Sequence, residues 1–419
     1  MSIIRLLQIL GPGIVAASAA IGNSHLIQST RAGGYFGFEL LWVVVAINIL
    51  KYPFIEYGYR YTAATGKNLL YGYKQLNPIL LKIFIIVNII AAIGAIAVTS
   101  YVCAGIMKSS LNLPFDIKIL SFFVMAICIL IISIGHYHYL DHIMKFFMIF
   151  LLFSTFTALF MALANYDSYS NNISFYSESA WNPKYIPFII ALMGWMPAPM
   201  ELSVWHSLWL EARNKDHKKK LTFQEAKIDF NVGYFLMIIT AVVFLSLGGL
   251  VLHHSGVEIS DKASIFATQF IGIYSSVIGS WIRLIVAIAI LAAILSTTLA
   301  VIDVYPRSVA VGIMVLRGKN EENSQKFSRN FRLITIILFC LLAYLIIYFL
   351  VNGFQTLIDV VTILSFLFAP LFAYMNYAVV NSNLLPKKFR PGKWLKILSY
   401  AGFIYMLVFC LIFFFVKLN

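Results

Sequence analysis

Gly22-Asn23-Ser24-His25 lies at the middle of the apolar stretch 11–33, and Gly194-Trp195-Met196-Pro197-Ala198-Pro199 at the middle of 185–210. Both sets of small or helix-breaking residues interrupt segments that are otherwise long enough to cross a bilayer. Inside a bilayer every backbone N–H and C=O must be satisfied, so an unwound stretch survives only where protein, ion or substrate supplies partners. Interruptions at corresponding positions in two halves of a chain point to a cargo site near the bilayer midplane.

The rest of the chain supports a membrane reading. It is 61% hydrophobic, 16% aromatic and only 11% charged, with a mean hydropathy of +0.86. A soluble domain would carry about 25% charged residues. Apolar runs predict eleven spans, at 10–31, 36–62, 79–107, 116–135, 140–164, 185–210, 229–252, 270–303, 331–351, 356–380 and 394–417. The eighth is long and is expected to start as an interfacial turn near Phe266. The expected fold is therefore an all-α integral membrane protein with one transmembrane domain. Residues 1–165 form a first five-span unit, 185–380 a second, and 394–417 an extra span. The interrupted spans 1 and 6 take equal places in two units of opposite orientation, as an inverted repeat requires.

Charge placement sets an orientation. The net charge of +14 is concentrated in alternate connections. Arg60, Lys67 and Lys74 follow span 2; Arg213, Lys215, Lys218, Lys219, Lys220 and Lys227 follow span 6. Arg307, Arg317, Lys319, Lys326 and Arg329 follow span 8, and Lys387, Lys388, Arg390 and Lys393 follow span 10. The intervening connections hold only Lys184, Lys262 and no cation, respectively, after spans 5, 7 and 9. By the positive-inside rule the N-terminus is cytoplasmic and the C-terminus outside, in a plasma membrane such as the bacterial inner membrane. The basic excess is thus a topology signal with a lipid bilayer as partner, and nucleic acid is excluded as its target. The first ten residues lack the features of a cleaved signal peptide. Cys103, Cys128, Cys340 and Cys410 fall inside spans without a CxxC pair, which reads as packing rather than disulfide or zinc chemistry. No phosphate-binding loop and no HExxH motif occurs, so neither ATP-driven transport nor enzymatic chemistry is indicated, and no cofactor or obligatory protein partner is implied.

Gly11-Pro12-Gly13, a small-residue helix, a central break and Arg31-Ala32-Gly33-Gly34-Tyr35-Phe36-Gly37 together resemble the start of the Nramp metal-ion transporters. Met196-Pro197 is similar to that family's second signature. The resemblance is specific around spans 1 and 6 and covers spans 1 to 10 in layout. It implies the inverted-repeat fold shared with amino-acid and sodium-coupled transporters, and alternating access to a central metal site. The departures are informative. Aligned from Gly11, the family's Asp-Pro-Gly-Asn falls on Gly22-Asn23-Ser24-His25, so Gly22 replaces the metal-binding aspartate and His25 the asparagine. Ala198 replaces the histidine associated with proton movement, while Met196 keeps the thioether ligand. Asn88 and Ala91 stand where span 3 usually carries acids, and span 9 lacks a mid-membrane arginine. The chain therefore looks like a divergent branch.

Candidate metal ligands are His25, whose imidazole suits transition metals, Met196, Asn23 and Glu201. Gly22, Ser24 and Met193 complete the expected substrate-binding set, Gly22 and Met193 through carbonyls freed by unwinding. Glu201, five residues beyond Met196, is the carboxylate available to offset desolvation of a divalent ion. The blander reading of His25 is a packed ring bonded to a nearby carbonyl, and that of Glu201 a vestibule carboxylate. Lys51 and Glu56 on span 2 are expected to pair with neighbouring helices, close enough to the inner face to snorkel. Asp303 should meet a basic partner; Thr297 and Thr298 either line the path or back-bond; Asp359 is a counter-charge near the outer opening. His136, His138, His142, His253 and His254 read as loop residues, and His206 faces the inner vestibule.

The expected function is a secondary transporter of a divalent metal ion such as Mn, Fe or Mg. Membrane potential, worth about 2.3 kcal/mol per charge per 100 mV, favours uptake of a cation into a negative cell. The missing span 3 acids make uniport the preferred mechanism over proton symport. The alternative is a carrier of a small organic solute such as an amino acid or anion, for which Gly22 makes room and removes negative charge.

Overall fold

The computed structural model of this protein describes residues 9–134, 137–165, 178–216, 220–255, 257–318, 325–351 and 353–418. Among them every regular element is helical. Among the described residues eight helices are long and apolar enough to cross a membrane. The expected spans outside that set are 1 and 6, which are cut into short pieces, and 5, of which Met148–Ala164 is a shorter apolar helix.

The first span comprises α1 (Pro12–Ala20), a π-helical segment Asn23–Ser29 and α2 (Thr30–Phe36). It is followed by α3 (Leu41–Thr65), the short α4 (Leu69–Leu76), α5 (Pro78–Leu111), α6 (Ile117–Ile134) and α7 (Tyr137–Ala164). The second interrupted span is α8 (Ile186–Gly194) and α9 (Leu202–Asp216), with 195–201 outside any helix. Then come α10 (Phe223–Leu247), α11 (Ala263–Val277), α12 (Arg283–Leu316), α13 (Gln325–Leu350), α14 (Phe354–Asn381) and α15 (Lys393–Leu418).

Packing follows the apolar faces. α5 and α12 lie against each other, α1 against α10, α8 against α14, and α9 against α3. α15 is peripheral: only 17% of its most apolar window is buried, against 67% for the span containing α12. That fits an appended helix whose surface faces lipid.

One boundary differs from expectation. The segment around Phe266 is a separate helix, α11, and the eighth span proper begins at Arg283 instead of 270. Gly279, at φ +125°, supplies a backbone conformation that side-chain-bearing residues avoid, and so separates the two. The four cysteines are buried and form no disulfide. Lys218, Lys219, Lys319 and His136, together with the connection 166–177, lie outside the described residues. His138 and His142 fall within α7 rather than a loop.

Candidate functional site

The first interruption begins where α1 runs out. Pro12, at the first position of α1, gives up no bond the helix needs. The N–H groups of Gly11 and Gly13 donate to the Asp229 carboxylate of α10 at 2.8 and 2.7 Å, anchoring the positive end of α1. At the other end Ile21 and Gly22 leave the helix, and Asn23–Ser29 resumes with π winding, a local widening often found at functional positions. Gly22 is required by a neighbour: a Cβ there would overlap the Thr297 hydroxyl of α12. This corrects one expectation, because the loss of a side chain at position 22 leaves no room for a solute. Thr297 occupies it.

The polar groups of this break are unequally engaged. The Ser24 hydroxyl donates to the Ala20 carbonyl at 2.8 Å. His25 is fully buried, with Nδ1 2.7 Å from Ser24 Oγ and 3.0 Å from the Ala20 carbonyl. Its Nε2 lies 3.0 Å from the Met237 carbonyl of α10. Both ring nitrogens therefore face protein oxygens, and the ring stitches the break to α10 instead of facing the second interruption. Asn23 is the exception. It is buried, and neither its amide oxygen nor its amide nitrogen has a hydrogen-bond partner.

The second interruption is wider. α8 ends at Gly194, where a Cβ would overlap the Thr362 carbonyl of α14, and Pro197 and Pro199 keep the following residues out of a helix until Leu202. Met196 is fully buried, and the Ser29 hydroxyl donates to its sulfur at 3.7 Å, so the two breaks adjoin. A cavity of about 30 Å³ lies between them. Asn23 and Ser24 line it from the first break, and Trp195, Ala198 and Pro199 from the second. Thr99 of α5 and Thr297 and Tyr305 of α12 close it, along with Trp205, whose indole N–H is buried without a partner.

Glu201 precedes α9, is 1% exposed, and has no hydrogen-bond partner on either carboxylate oxygen. It lies within electrostatic reach of Lys51, Tyr73 and Tyr305. A buried ionised carboxylate with unfilled oxygens is costly by several kcal/mol unless a cation or a proton joins it, of order what breaking a buried pair costs. Glu201 and Met196 are outside the cavity lining, and among the described residues no three His, Cys, Asp or Glu side chains group as a metal cluster.

Lys51 is placed differently from expectation. It does not snorkel: it is wholly buried in α3, and its ammonium donates to the Met193 and Gly194 carbonyls at 2.7 and 2.8 Å and to that of Ala198 at 3.4 Å. The Met193 carbonyl, expected to await cargo, is thus taken. The depth of Lys51 was the missed signal. Eleven residues separate it from the expected span end at 62, roughly 16 Å along a helix, farther than its stem extends. Glu56 likewise turns to its own helix, accepting from Arg60 Nε at 2.8 Å and Tyr59 at 2.8 Å, rather than to a neighbour.

The remaining polar groups tie elements together. Asp359 of α14 receives Arg31 of α2 through two bonds of 2.8 and 3.1 Å, with Gln28 at 3.1 Å. Phe188 and Tyr35 flank the guanidinium, 5.0 and 5.5 Å from their ring centres. A larger cavity of about 630 Å³ opens beside this pair. Asp303 pairs with Arg332 of α13. Thr298 bonds back to Ile294 at 2.8 Å and to Thr99 of α5 at 3.2 Å. His206 is buried 3.8 Å from Asp229 rather than facing an open vestibule. Asn88 donates to Ser308 at 2.9 Å, bracing α5 against α12.

Comparison with known proteins agrees with this architecture. A family model described as natural resistance-associated macrophage protein-like matches residues 13–416. An uncharacterized protein of Pasteurella multocida is 36% identical over 411 residues, 96% of this chain and 91% of that one. A divalent metal cation transporter, MntH, of Yersinia pestis is 38% identical over 63 residues, 15% of each chain. The crystal structure of a manganese transporter mutant from Eremococcus coleocola superposes with a TM-score of 0.73 at 14% identity, over 97% of this chain and 86% of that one, which shows a shared fold.

Proposed function

This chain belongs to the Nramp family, a family of membrane transporters, and on that premise we propose that it moves a divalent metal ion by alternating access, without classical proton coupling. Eleven spans carry it, with residues 1–165 and 185–380 as inverted five-span units, the N-terminus in the cytoplasm and the C-terminus outside. The cargo passes the cavity between the interruptions. Asn23 and Ser24 meet it from one side, the unwound stretch around Met196 from the other, and Glu201 supplies the negative charge. Arg31 and Asp359 close the outward path, and Asp229 at the start of α1 the inward one.

The observation that carries this reading is a small cavity between the two interruptions that the orphaned Asn23 amide lines, with a second orphaned buried group, the Glu201 carboxylate, outside its lining at the end of the second interruption. An amide oxygen, a carboxylate and a thioether together suit a borderline divalent ion. His25, with Nε2 on the Met237 carbonyl and Nδ1 on Ser24, serves in this reading to hold the break in shape, and Gly22 contributes only backbone. Uniport is favoured because Asn88, where an acid would relay protons, is a neutral brace.

The test is uptake into liposomes loaded with a manganese-sensing dye under an inside-negative potential. Wild type should accumulate manganese or magnesium without internal acidification, and Glu201→Gln should lose at least about 90% of the rate, a tenfold change being about 1.4 kcal/mol. Undiminished uptake by Glu201→Gln removes the carboxylate from the mechanism. Metal-driven proton entry would contradict uniport.

A further inference from the structure

The half-helix α8 stops at Gly194 in the middle of the protein, so its last carbonyls have no following turn to bond. The C-terminal end of a helix carries partial negative charge, which favours a cation. Lys51, from the middle of α3, puts one there. Its ammonium has three N–H donors, and the three nearest acceptors are the carbonyls of Met193, Gly194 and Ala198 at 2.7, 2.8 and 3.4 Å. Oxygen-only, uncharged, converging carbonyls are also what a bare hard cation accepts in place of its water shell. Glu201, within electrostatic reach, makes no hydrogen bond to Lys51, so the lysine is held by the carbonyls and not by the acid.

We propose that the Met193, Gly194 and Ala198 carbonyls form a cation site that Lys51 fills from within the chain, and that its ammonium competes with an inorganic cation for those oxygens. Ala198 also lines the cavity between the breaks, so the filled site adjoins the cavity through that one residue. An ion in that cavity faces the lysine's charge and gains the carbonyls only when the ammonium withdraws. Lys51 thereby holds cation affinity down and keeps the α8 end satisfied when the cavity is empty. The competition for carbonyls stands by itself; its consequence for transport rests on the metal-cargo reading above.

The test uses the purified full-length protein, with Lys51→Met, which keeps the stem and removes the charge, and Lys51→Gln, which keeps neutral donors. Thermal unfolding is followed in choline, sodium or potassium chloride at equal ionic strength, and manganese and magnesium binding by calorimetry. Wild type should be indifferent to the choice of monovalent cation. Lys51→Met should unfold at lower temperature in choline and regain stability in sodium or potassium, because an ion bound only by the folded form stabilises it. Both variants should bind manganese about tenfold more tightly than wild type, equivalent to about 1.4 kcal/mol. A folded Lys51→Met indifferent to sodium, potassium, manganese and magnesium overturns the proposal. Should that variant fail to fold, Lys51→Gln with unchanged manganese affinity does the same. A wild type that binds no divalent ion sinks the metal-cargo reading alone, since the response of Lys51→Met to sodium and potassium is read independently.

Discussion

The two interruptions solve one problem by different means. In the first, the chain rewinds almost at once as a π turn, and local groups absorb the stray carbonyls: Ser24 bonds to Ala20, and His25 spans Ala20 and Met237. In the second, seven residues from 195 to 201 stay out of any helix, and the carbonyls are satisfied from another span by Lys51. The first break is therefore closed mostly by its own residues, with one tie to α10, while the second stays unwound and depends on Lys51 of α3. What neither repairs is the Asn23 amide and the Glu201 carboxylate, and these are the groups that our proposal assigns to a cargo.

The contrast can be broken most severely at Gly22. Gly22→Asp, which would restore the family's carboxylate, must displace Thr297 and should cost about 3 kcal/mol, as overpacking of a tight core does. Thermal unfolding should register the loss, and adding Thr297→Ala should recover most of it; a stable single variant would mean that the break is looser than described. His25→Phe comes next. Losing the ring's contacts with Ser24 and the Met237 carbonyl should cost about 2 kcal/mol while manganese affinity, read by calorimetry, stays near wild type. A large affinity loss at unchanged stability would instead make His25 a ligand. Asn23→Ala should invert that pattern, with binding weaker by about tenfold and the melting temperature unchanged or raised, because an unpaired polar group is removed. The smallest effect is expected for Met196→Leu, which is nearly isosteric and should shift stability by less than about 1.5 kcal/mol. Its signature is a lower preference for manganese over magnesium; an unaltered ratio would take the thioether out of the site.

Much of this was legible because it is local. Apolar runs of bilayer length announce spans, and Gly22 and Pro197 announce where they fail. The presence of Asn23, Met196 and Glu201 at those failures could be read directly. Their partners could not. Lys51 meets carbonyls 142 and 143 residues away, His25 one 212 residues away, and Thr297 fills the space beside Gly22 from the far side of the chain. Even Glu56, expected to reach a neighbouring helix, turned back to Arg60, because one turn of the same helix already offered a guanidinium.

The sequence by itself determined that the chain lives in a bilayer, which way its connections carry charge, and where two helices must break, since hydrocarbon enforces length and backbone satisfaction residue by residue. Only the tertiary structure decided which broken ends are already satisfied and which remain wanting, because those partners converge from spans far apart in the chain and no local pattern encodes their meeting.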